Sequence, residues 1–134
     1  MQTDETTRRV FHDSLGRCNA NPIFLDRFYE LFLATSPKVR EKFAHTDFTR
    51  QKEALRASLQ AMLAAAAGDS ERPLSRLAER HSSRDLNIGA ELYDLWLDSL
   101  LAAVKECDAD FSPEVEQAWE EVMMVGIGFL LSRY

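Results

Sequence analysis

Proline sets the outline of this chain. Each of the four prolines, Pro22, Pro37, Pro73 and Pro113, stands where a helix is expected to begin. Asn21, Ser36 and Ser112 are capping residues placed directly before a residue whose missing N–H costs nothing in a first helical turn. Pro73 follows "GDSER", and Gly68 is suited to ending the stretch Ala64–Ala67 before it. No sustained period-two pattern appears, so no strand is expected.

Between the breaks, apolar residues recur with helical spacing. They predict seven helices, over 5–17, 22–34, 37–42, 47–66, 72–81, 90–106 and 113–132. In the second, Phe24, Phe28, Leu31 and Phe32 make one stripe, and Leu25, Tyr29 and Leu33 another. A helix apolar on two sides is buried on two sides. Leu55, Leu59, Met62 and Leu63 share a face of the fourth helix. Leu92, Trp96, Leu100, Ala103 and Val104 do so on the sixth, and Val115, Trp119, Val122, Gly126 and Phe129 on the last. Met123 and Met124 are expected as gap-fillers in the core. The expected architecture is all-α, one domain over residues 1–134 with a flexible N-terminus over 1–5. A chain of this length buries roughly two-thirds of its unfolded surface, and 46% hydrophobic residues supply the core.

Charge and composition exclude several partners. A formal charge of −6 argues against nucleic acid, because phosphate neutralisation needs a basic face. No apolar run approaches the roughly 20 residues that span a bilayer. "MQTDETTRRV" lacks the apolar segment of a secretory signal. Cys18 and Cys107 form no metal-type or redox-type pair in sequence. A cytoplasmic protein with two reduced thiols is expected.

Several metal constellations fail on spacing. A di-iron bundle needs paired Glu-x-x-His motifs, yet Arg9, Lys42 and Ala78 stand three before His12, His45 and His81. "DADFSPEVEQAW" opens like a calcium loop, then puts Pro113 where the turn glycine belongs and Trp119 where the bidentate acid belongs. Zinc-type ligand spacing, a phosphate loop and a nucleophile elbow are absent. What stands out is His81, on the same helical face as Leu74, Leu77 and Ala78. Read alone, it is a structural residue near a helix end. A single imidazole holds a metal only if something else supplies the other ligands, and haem supplies four in-plane nitrogens.

Here the residues resemble the globin family, from about residue 8 to 133. The likeness is to single-domain bacterial globins and the haem domains of flavohaemoglobins. "FYELFLATSPKVREKF" resembles the family's second and third helices, ending at its near-universal phenylalanine, here Phe43. "LAERH" followed by "ELYDLWLDSLLAAV" is similar to the proximal helix and the long helix after it. The resemblance implies a globin fold and haem b, with His81 as iron ligand, Leu77 under the haem and Phe43 stacked on it. It also implies a hydrogen bond from the second imidazole nitrogen to backbone near Leu77, which would fix ring orientation.

On the distal side, Tyr29 falls where flavohaemoglobin-type globins keep a tyrosine. "QKEAL" is similar to their Gln-x-x-x-Leu pattern, which points to Leu55 and to Gln51 or a neighbour. Residues four apart share a helix face. Phenol and amide donors in an apolar cavity would favour O₂ over CO. Read without the resemblance, Tyr29 is a core tyrosine with a backbone partner and Gln51 is solvated. Ile88 and Tyr93 are further expected haem contacts, Tyr93 packing with a polar tip. Arg84 is either a propionate partner or an exposed charge. His45 is a propionate partner, a sixth ligand or a surface residue, and His12 lies on the surface.

The implied function is reversible binding of O₂, CO and NO, for oxygen binding, transport or sensing. Two alternatives stand beside it: NO dioxygenation, with electrons from a separate reductase, and a haem-free helical interaction protein. Oligomeric state is not legible in the sequence.

Overall fold

The computed structural model describes residues 3–69, 71–82, 84 and 86–134. Met1 and Gln2, part of the N-terminus expected to be flexible, lie outside the described residues. The described residues form seven α-helices: α1 (Glu5–Ala20), α2 (Phe24–Thr35), α3 (Pro37–Lys42), α4 (Phe48–Ala66), α5 (Arg72–His81), α6 (Ala90–Cys107) and α7 (Pro113–Ser132). Among the described residues there is no strand, and no helix is long and apolar enough to cross a membrane.

The caps explain the boundaries. Asp4, Ser36, Asp47 and Ser112 each accept a backbone N–H from the first turn of the helix they precede. Pro37 and Pro113 open their helices, and Pro73 lies in the first turn of α5. Gly68 adopts φ 78, and the N–H groups of Gly68 and Asp69 close on the carbonyls of Ala65 and Ala64. That double closure ends α4 as a Schellman motif.

Pro22 behaves differently from the other three. A residue before proline avoids the helical region, and Asn21 is extended at φ −89, ψ 115. So α1 runs three residues past its expected end, up to Ala20. The Asn21 side chain then accepts the Ile23 N–H, holding Pro22 in an Asx turn. α2 therefore begins at Phe24 rather than at the proline.

α7 is the axis of the fold, with α1, α4, α5 and α6 all packed against it. Trp119 is fully buried there, edge-on to Phe11 at 4.7 Å and to Phe24 at 6.3 Å. Met123 is buried, but Met124 is exposed. Consecutive helical residues point about 100° apart, so the core takes only one of the pair.

One buried polar chain ties three helices. Trp119 Nε1 donates to Ser14 Oγ (2.8 Å), and Ser14 donates to Asp108 Oδ2 (2.6 Å). Arg17 grips the same carboxylate through Nε (2.5 Å) and Nη2 (2.9 Å). Burial alone would raise the Asp108 carboxyl pKa. The Arg17 guanidinium, the Ser14 hydroxyl and the Asp110 amide outweigh it and hold the group below the usual carboxylate range.

Asp108→Asn should therefore destabilise the fold by roughly 1–3 kcal/mol, read as a lower urea midpoint near neutral pH. A depressed native pKa gives stability that is present above the unfolded value of 3.8 and lost as pH falls through the native one. The variant should show a shallower loss of stability in acid than the parent; equal slopes would remove Asp108 from that role.

Candidate functional site

α2 to α7 enclose a cavity of about 600 Å³. Tyr29 and Phe32 come from α2, Val39 from α3, and Phe43 from the residue that caps it. Gln51, Ala54, Leu55, Ser58 and Met62 recur along one face of α4. Leu77 and His81 face the cavity from α5, Leu92, Tyr93 and Trp96 from α6, and Leu130 from α7. Leu86 and Ile88 line it from the chain between α5 and α6. The charged lining residues, Lys42, Asp47, Arg50 and Arg80, are exposed and mark its open side. The volume lies within the roughly 300–1,000 Å³ of pockets that bury most of an organic ligand.

His81 is the last residue of α5. Its carbonyl accepts the Ile88 N–H (2.9 Å), and those of Arg80 and Ser82 accept from Leu86 and Asn87. The chain after α5 thus folds back over the helix end and satisfies carbonyls that would otherwise be orphaned. Asn87, at φ 56, takes the left-handed conformation this turn requires. The imidazole is half-buried, and its Nδ1 lies 2.8 Å from Tyr93 Oη. The expected bond to backbone near Leu77 is thus replaced by one to a side chain. Tyr93 stands in the first turn of α6, within reach because the return segment starts that helix near the end of α5. Burial pushes its phenol well above the ordinary tyrosine range, so it stays protonated.

Tyr29 forms the opposite wall with an aromatic cluster. Its ring meets Phe28 (4.8 Å), Phe48 (5.4 Å) and Phe43 (5.9 Å) edge-on. Its hydroxyl donates to the backbone carbonyl of Gln51 at 3.4 Å, tethering α2 to the first turn of α4. Burial raises its pKa to about 12, partly offset by the Gln51 side chain.

Eight expected site residues meet at this cavity: Tyr29, Phe43, Gln51, Leu55, Leu77, His81, Ile88 and Tyr93. His45 and Arg84 are exposed and do not line it. A turn closed by the Thr46 N–H on the Phe43 carbonyl separates His45 from the wall. His12 is exposed as well. Sequence reasoning missed Ala54, Ser58 and Met62 as lining, although they follow Gln51 at three, seven and eleven residues on one helical face. It also missed Lys42, Arg50 and Arg80 at the mouth, where nothing separates them in sequence from ordinary surface charge.

A family model for globins matches residues 26–128. The chain belongs to the globin family. It is also similar to the crystal structure of a protein from Pseudomonas aeruginosa PAO1, described as structurally highly homologous to a human hemoglobin. That similarity is 46% identity over 96% of this globin and 98% of the other chain, with a TM-score of 0.93. A comparison with curated proteins finds no match.

Globin membership implies haem, and the residues present fit it. Haem is a flat apolar plate with two carboxylates on one edge and an iron that needs an axial ligand. This globin offers apolar walls, one imidazole among them, and three cations against one acid at the open side. Among the described residues, no group of three or more His, Cys, Asp or Glu side chains converges on a metal position. An iron brought with its own equatorial ligands suits that donor set.

Tyr29 gives a pH test on the haem-free protein. Its pKa is raised from 10.0 to about 12, so its contribution to stability is present below pH 10 and lost as pH climbs to 12. Tyr29→Phe should flatten the fall in urea midpoint across that window. An unchanged slope would mean that the phenol is not sequestered.

Proposed function

We propose that this globin binds haem b through His81 Nε2 and reversibly takes O₂, CO and NO in the pocket beside Tyr29. The observation that carries the reading is the placement of His81. It stands on the wall of an apolar cavity with Nδ1 engaged by Tyr93 Oη. Bound haem would supply an iron with one coordination position for the protein and one for a diatomic ligand.

The chain's own side chains supply the rest. With Nε2 as the ligating nitrogen, Nδ1 carries the proton and donates it to Tyr93 Oη, which holds the plane of the ring. Phe43, Leu77 and Leu55 offer flat or branched apolar surface to a porphyrin, and burying such surface contributes about 25 cal/mol per Å². Lys42, Arg50 and Arg80, which line the open side, would meet the propionates. Tyr29 Oη and the Gln51 side chain are the polar groups facing the ligand side. A phenol donor favours a ligand that accepts a hydrogen bond, so O₂ gains more than CO.

Ferric and ferrous absorption spectra of the purified protein, with and without CO, test the reading directly. A Soret band that shifts with CO is expected. His81→Gly should lose haem or hold it weakly, and an unchanged spectrum would remove His81 as ligand. Tyr29→Phe should release O₂ about two- to tenfold faster while CO changes little, the net value of exchanging the bond to the Gln51 carbonyl for one to O₂. An unaltered O₂ off-rate would assign that selectivity elsewhere.

A further inference from the structure

The deep wall of the cavity is formed in part by Met62 of α4 and Leu130 of α7, both almost fully buried. Met62 lies across Gly126 of α7. A Cβ added at Gly126 would stand 2.7 Å from Met62 Cγ, 2.9 Å from Sδ and 3.0 Å from Cε. At Gly128, one half-turn on, it would meet nothing within 4 Å. A glycine weakens a helix interior, and only at Gly126 does the fold use the space it leaves.

We propose that Gly126 sets the depth of the ligand cavity by giving the Met62 side chain a bed on bare α7 backbone. It is a positioning residue acting through Met62. The clash includes Cγ, so rotating the tip of the thioether does not relieve it; the whole side chain must turn. Leu59 and Ala66, on either side along α4, are fully buried and leave no room. The open volume that Met62 borders is the cavity, and a flexible methionine moves there most readily. A methyl group added at Gly126 is thus converted into a larger intrusion of sulfur and carbon into the ligand space. The inference rests on the proposed function only for what the cavity holds; the geometry of the wall stands apart from it.

The test is a double-mutant cycle on haem-free protein, with anilinonaphthalene sulfonate as the apolar probe and helix content followed by circular dichroism. Gly126→Ala should bind the dye about tenfold more weakly, the usual scale of a modest overpacking penalty. Met62→Ala should bind it at least as tightly as the parent. The double variant should match Met62→Ala, because the methyl then has nothing to displace. Parent-like affinity for Gly126→Ala would show that α4 and α7 part instead, and would overturn the proposal. So would a double variant as weak as Gly126→Ala. If Gly126→Ala alone fails to fold, the comparison of Met62→Ala with the double variant decides: equal affinities support the notch, and a weaker double variant sinks it. Haemin uptake by the parent protein is scored separately, so a failure of haem binding is not confused with a failure of the notch.

Discussion

Trp119 has to bury an indole N–H, and the way it does so organises the molecule. A buried donor without an acceptor costs on the order of 1–3 kcal/mol. Ser14 of α1 accepts it, and the serine proton passes the demand on to Asp108, just beyond α6. Arg17 then compensates the buried carboxylate. A slip of α1 along α7 by one turn would break this chain and the Phe11 contact together. Register among α1, α6 and α7 is therefore fixed by polar satisfaction, with the surrounding apolar packing supplying most of the energy.

That fixed register reaches the cavity through α6. The helix is 18 residues long, or roughly 27 Å at 1.5 Å per residue. One end is held at Asp108. The other presents Tyr93 to His81, the last residue of α5. The tyrosine's bond to Nδ1 holds the plane of the imidazole ring. A short helix with its last carbonyls capped by the return segment gives the imidazole a firm base without a longer α5.

Much of this was legible in the sequence, for identifiable reasons. Helix starts at Pro37, Pro73 and Pro113 and the stop at Gly68 are local chemistry, written within a few residues. Asn21 carries equally local information, but pre-proline avoidance and Asx-turn formation made it the C-cap of α1 rather than the N-cap of α2. Spacing placed Gln51 and Leu55 on one face, and that face continues into Met62 along the wall. The Nδ1 partner of His81 was not legible, because it depends on how the chain between the two helices folds back, and Leu77 and Tyr93 were both near in sequence. The Met62–Gly126 contact pairs residues 64 apart and has no signature beyond a glycine in a helix.

On the proposed function, Tyr29 would let the distal wall discriminate between ligands without a free donor. Its hydroxyl is committed to the Gln51 carbonyl, at the long end of hydrogen-bond distance. A ligand that draws the phenol toward itself exchanges one hydrogen bond for another, so the gain is a difference rather than a full bond. On the proposed function, a poor acceptor such as CO would leave the phenol on α4, whereas a better acceptor would shift it. Because the carbonyl lies in the first turn of α4, where the Tyr29 bond ties that turn to α2, the exchange would loosen the tether as a ligand is gained. Selectivity and the mobility of the distal wall are then two readings of the same 3.4 Å contact.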